Sequence, residues 1–196
     1  MEDISIHDAI CQVGTLCLVD FMPKEAEEMY KRAIEGKKKV VGPGHPSTLD
    51  SLYDLAILYA ESDRLTEAQE VLESVLKEYE RSNGIDNTIT VTVVHSLGRL
   101  YRLQGNLPDA EKMLQRSVDA YEEIHGSDHF QTLIAFYNLG LVYQDQGKLR
   151  EAEELFQKAL IGLEIEFGCS YGTSRVVRDS LDAIRKLRDV GPSQAP

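Results

Sequence analysis

Three cysteines, five histidines and a close pair of arginines are the side chains best equipped for chemistry, and only the arginines stand in a pattern. Cys11, Cys17 and Cys169 follow no metal-ligand spacing, and their odd number does not suggest a disulfide framework. His7 and His125 are isolated near helix ends, His45 and His129 occupy equivalent junction turns and read as structural, and His95 stands apart, with no His-Glu pair on a helix, no phosphate-binding glycine loop and no nucleophile elbow in the chain. What remains is recognition chemistry. Arg99 and Arg102 lie one helical turn apart, and a guanidinium grips a carboxylate through a planar fork of donors. Tyr53, His95 and Tyr137 recur at a spacing of 42 residues around them. Arginine among aromatic rings has the composition of a hot spot for an acidic or aromatic-acidic peptide. The competing reading is that Arg99 and Arg102 pair with carboxylates of a neighbouring helix.

Composition narrows the partners. Of 196 residues, 42% are hydrophobic and 28% charged, with a formal net charge of −12. That balance suits a soluble globular protein and opposes binding to a nucleic-acid backbone or an anionic membrane surface. The longest mostly apolar stretch, from Ala9 to Met22, is broken by Gln12, Gly14, Thr15 and Asp20, so no membrane insertion is expected. It follows Glu2, Asp3 and Asp8 rather than a basic segment, which argues against a secretory signal. A reduced, cytoplasmic protein is expected.

The elements that position these residues follow from a repeat. Ala26, Ala68, Ala110 and Ala152, and likewise Gly42, Gly84, Gly126 and Gly168, are spaced by 42 residues, the signature of a solenoid. Units are expected at 1–42, 43–84, 85–126 and 127–168. In each, a first helix carries apolar residues at helical spacing: Leu52, Leu55, Ala56, Tyr59, then Val94, Leu97, Gly98, Tyr101, then Phe136, Leu139, Gly140, Tyr143. The small residue, Ala56, Gly98 or Gly140, marks a close approach by another helix. A second amphipathic helix follows a polar turn in which Gly105 and Gly147 are suited to the left-handed conformation, and Pro108 sits near a helix start. Ser47, Thr48 and Thr132 are expected to cap first helices. The first unit is degenerate, with Cys17 in place of the tyrosine and Phe21 where two others have glycine. Residues 173–189 predict a capping helix that buries Leu181 and Ile184 and exposes Arg178, Asp182 and Arg185. A disordered tail is expected at 190–196.

Leu-small-x-x-Tyr followed by Ala-x-x-x-Phe or Leu resembles the tetratricopeptide repeat, and the 42-residue unit with a Gly-x-x-His-Pro type junction is similar to the kinesin-light-chain variant. The resemblance implies an all-α fold: a right-handed tetratricopeptide superhelix, or alpha-solenoid, of four helical hairpins plus a C-terminal capping helix, forming one domain over 1–189. It implies a complete array, although the heptad coiled coil of kinesin light chains has no counterpart. It also implies a groove lined by first helices, here Tyr53, Ile57 and Ala60, then His95, Arg99 and Arg102, then Tyr137, Leu141 and Gln144. Cys11, Thr15 and Leu18 are the equivalents in the first unit, and Asp179, Ala183 and Lys186 those in the cap. The structural repeat positions are Ala26, Ala68, Ala110, Ala152, Tyr59, Tyr101, Tyr143, Gly98 and Gly140. Kinesin light chains carry asparagine at the first stripe position, whereas Tyr53, His95 and Tyr137 stand here, so cargo specificity does not transfer.

The expected function is a non-enzymatic adaptor or scaffold that binds a peptide or helix of a protein partner in the groove, as a monomer or weak oligomer, with no cofactor and no metal. A self-associating structural protein and an accessory subunit of a signalling or enzyme complex are the alternatives.

Overall fold

The computed structural model describes residues 4–19, 22–83 and 87–189; Phe21, Gly84 and the segment 190–196 lie outside the described residues, as do the side chains of Cys17 and Leu18. Among the described residues there are nine α-helices: α1 (Ile4–Val19), α2 (Pro23–Val40), α3 (Pro46–Glu61), α4 (Leu65–Asn83), α5 (Thr88–Leu103), α6 (Leu107–His125), α7 (Phe130–Asp145), α8 (Leu149–Phe167) and α9 (Gly172–Asp189). First helices begin at 46, 88, 130 and 172 and second helices at 23, 65, 107 and 149, so the sequence period is kept in the helix starts.

The chain divides into two compact units, Met1–Ile85 and Asp86–Pro196. In the first, α1 packs on α2 and α3 on α4, with α2 against α3. In the second, α5 packs on α6 and α7 on α8, α6 joins the two hairpins, and α9 lies on α8. Ala26, Ala68, Ala110 and Ala152 are all fully buried. The small residue of the first helix faces its own hairpin partner: a Cβ on Gly98 would lie 2.6 Å from Leu114 Cγ, and one on Gly140 would lie 2.6 Å from Phe156 Cε1. Second helices therefore approach too closely there for any larger side chain.

The junctions depart from one expectation. The hydroxyls of Thr48 and Thr132 do not cap helix N–H groups but donate to the carbonyls of Gly42 and Gly126, at 2.9 and 2.8 Å. The caps are His45, Asn87 and His129, whose side chains accept from the backbone N–H of Ser47, Ile89 and Gln131. An acceptor at the residue before the helix reaches the second helical N–H. A hydroxyl inside the first turn instead latches the helix to the preceding junction. The junction glycines Gly42, Gly126 and Gly168 have φ of 98°, 85° and 84°, backbone that favours glycine.

Two of the signature tyrosines, Tyr59 and Tyr143, also join consecutive hairpins within their units. Tyr59 donates to Glu27 of α2, which pairs with Arg64 at 2.6 Å while the Arg64 guanidinium lies 4.0 Å over the Tyr59 ring. Tyr143, Glu111 and Lys148 repeat the arrangement, with Lys148 4.9 Å from the ring centre and 3.1 Å from Glu111. In α9, Arg185 takes the tyrosine position and pairs with Glu153 at 3.0 Å. The expected exposure of Arg185 is thus partial, and Arg178 is held by Glu164. Leu181 and Ile184 are buried.

Candidate functional site

The residues singled out from the sequence fall in both units. Tyr53 and Ile57, on α3 of the first unit, are half-buried. His95, Arg99 and Arg102 lie on α5, and Tyr137, Leu141 and Gln144 on α7, both in the second unit.

Within the second unit the first helices are linked side by side by polar contacts, each joining a position to one 43 residues later. Asn138 Nδ2 is 2.9 Å from His95 Nε2, Arg102 Nε is 2.7 Å from Asp145 Oδ2, and the Tyr137 hydroxyl is 3.3 Å from Ser180 Oγ. Helices α5, α7 and α9 thereby present one continuous polar ladder. Three of the sequence-chosen residues, His95, Arg102 and Tyr137, are its rungs. Their partners Asn138, Asp145 and Ser180 were not singled out from the sequence. The period plus one residue is the signal that identifies them.

The rungs have distinct electrostatics. Asn138 Nδ2 also donates to the Ile134 carbonyl at 2.9 Å, which orients its amide with the nitrogen toward His95. His95 Nε2 is then an acceptor and the ring is neutral with its proton on Nδ1. Burial pulls this imidazole down to about 4, and the nearby Arg99 guanidinium adds in the same direction. The Tyr121 ring meets His95 edge to face at 6.1 Å, and Tyr137 packs at 5.4 Å on Phe156.

The arginine pair does not act as a pair. Arg102 is neutralised by Asp145, which is the competing arrangement weighed from sequence. Arg99 is exposed and has no carboxylate partner among the described residues. Leu141 packs against the core, and Gln144 holds its side-chain carbonyl oxygen buried without a hydrogen-bond donor. An unmatched buried acceptor costs on the order of 1–3 kcal/mol. Among the described residues the face carries two exposed cations without a carboxylate partner, Arg99 of α5 and Lys186 of α9, beside the aromatic and apolar surfaces of Tyr137 and Leu141.

Helical hairpins repeating at a fixed 42-residue period define the class as an α-helical repeat protein. The profile of the tetratricopeptide repeat matches residues 8–81 and 87–160, and the chain belongs to that family. The fold is its all-α solenoid, and the chain is accordingly a protein–protein interaction module. The fold is similar to that of a candidate kinesin light chain from Podosopora anserina with nearly identical TPR-like repeats, at 21% identity and a TM-score of 0.82 over 96% of this chain and 89% of that one. It is also similar to BtubC (BKLC) from P. vanneervenii, at 16% identity and a TM-score of 0.73 over 98% and 84% of the two chains. A Rap protein solved in complex with Competence and Sporulation Factor shares 16% identity at a TM-score of 0.75, over 92% of this chain and 48% of that one. No curated protein matches the sequence. No helix among the described residues is long and apolar enough to cross a membrane.

Proposed function

We propose that the chain is an adaptor whose α5, α7 and α9 face captures an acidic or aromatic-acidic segment of a partner protein. Arg99 carries the reading. It is the member of the arginine pair left without a carboxylate, on a ladder where Arg102 is already paired, and a ligand carboxylate would complete it. Gln144 stands one turn beyond Leu141 on α7 and is proposed as a further contact, tested by its own substitution. Tyr137 and Leu141 supply ring and methyl surface beside them. Tyr53 and Ile57 hold the same repeat positions on α3 and are proposed as further contacts, tested by their own substitutions. The Rap protein, a similar fold, is seen in a complex with Competence and Sporulation Factor, which supports ligand capture on this class of scaffold.

The test is capture of partners from cell extract, followed by affinity measurement over a salt series, with the intact chain and Arg99→Ala. Loss of a specific partner with Arg99→Ala, and a shallower salt dependence, is the expected result. Unchanged affinity sinks the reading. Tyr53→Ala and Ile57→Ala, measured on the same partner, decide whether α3 takes part.

A further inference from the structure

The repeat supplies an internal control for every surface position. On second helices, α4 carries Lys77 and Arg81 and α6 carries Asp119 and Glu123, all exposed. At the same two positions α8 carries Ile161 and Ile165, 52% and 80% exposed. One helical turn apart, they border a cavity of about 340 Å³ lined also by Leu133 and Phe136 of α7. Gly162 completes the apolar wall; a Cβ there would lie 2.4 Å from Leu133 Cδ2. The cavity lies wholly within the second unit and shares no residue with the α5, α7 and α9 ladder.

Its polar lining holds two carboxylates against one ammonium, with Ser127 neutral. Glu122 of α6 and Asp128 of the α6–α7 junction are the carboxylates, and neither side chain has a cation partner among the described residues. Glu154 and Glu166, both exposed, flank the isoleucines along α8. Lys158 is the basic residue of the lining, and it lies 5.5 Å over the Phe136 ring.

We propose that this cavity is a second docking site, which takes the apolar anchors of a basic amphipathic helix from a partner protein. Ile161 and Ile165 match anchors spaced by three or four residues on such a helix, the usual mode of helix-in-groove binding. The rim carboxylates select lysine or arginine beside those anchors. A second copy of this chain is the less suitable occupant, because its net charge of −12 opposes the rim carboxylates.

The experiment titrates the full chain into a fluorescent lysine-rich amphipathic peptide of about four helical turns, bearing paired leucines, and follows anisotropy. Binding that weakens as salt rises is expected. Ile161→Asn combined with Ile165→Gln removes the apolar anchors without adding charge to the rim, at positions where α6 carries the polar Asp119 and Glu123, so the helix keeps a polar pattern the fold already accepts. That variant is expected to lose tenfold or more in affinity with its helical circular dichroism and melting temperature retained, while Arg99→Ala binds as the intact chain does. A peptide with its lysines changed to glutamate is expected to bind at least tenfold more weakly. No binding, equal affinity for the double variant, or equal affinity for the glutamate peptide overturns the proposal. So does sedimentation showing that the intact chain self-associates and the double variant does not.

Discussion

The two units solve the same packing problem at one repeat position with different chemistry. In the first unit, Lys37 of α2 is only 3% exposed, and its ammonium meets Asp8 at 2.7 Å, Ser51 Oγ at 2.8 Å and the Ser47 carbonyl at 3.2 Å. The hydrogen bond from Lys37 holds the Asp8 carboxyl below its ordinary range. One period on, Tyr79 donates to Asp50; in the second unit Tyr121 meets Thr92 at 3.0 Å, and then Leu163 lies buried with Ile134 at the partner position. From α2 to α8 the clasp between first and second helix runs from ionic through phenolic to apolar. The backbone register is constant, so it does not need a particular chemistry, only that each polar tip finds its partner.

Transplanting one end of that series into the other gives the largest expected effect. Leu163→Lys places an ammonium where Ile134 offers no carboxylate, and a loss on the order of 3–5 kcal/mol in urea unfolding is expected. Adding Ile134→Asp restores the first unit's pair and should recover part of it; an additive or larger loss would show that the units are not equivalent at this position.

The next effect belongs to the second unit alone. Because His95 has a folded value near 4 against about 6.5 unfolded, the unfolded state takes up its proton first as pH falls. Stability is therefore expected to fall by roughly 2 kcal/mol between pH 7 and pH 5, at the 1.36 kcal/mol of each pK unit, and His95→Gln should flatten that part of the profile. A profile that is unchanged by the substitution would remove His95 from the account. Smaller still, His129→Ala removes the N-cap of α7 and is expected to cost about 1 kcal/mol, matched by His45→Ala on α3 in the first unit. Unequal costs would show that the two junctions are not interchangeable.

Much of this fold was legible because its physics is local and repeated. The alanines mark positions with no room, and Gly98 and Gly140 mark the approaches of Leu114 and Phe156. The junctions were harder. His45 and Thr48 sit three residues apart, and residue type alone does not say which reaches the helix N–H groups and which the glycine carbonyl. The ladder was harder again, since Arg102 and Asp145 are brought together only by the lateral register of α5 and α7, one residue out of step with the period. Ile161 and Ile165 read as ordinary helix residues until the neighbouring repeats show charges in their places.

Arg99, and not Arg102, is the member of the arginine pair proposed to meet a partner's carboxylate on the α5, α7 and α9 face. Affinity for a captured partner, measured over a salt series for the intact chain, Arg99→Ala and Arg102→Ala, tests this assignment most directly. The account predicts that Arg99→Ala weakens binding about tenfold or more and reduces its salt dependence, while Arg102→Ala does so much less because that charge is already met by Asp145. Equal losses for both variants, or none for Arg99→Ala, would contradict it.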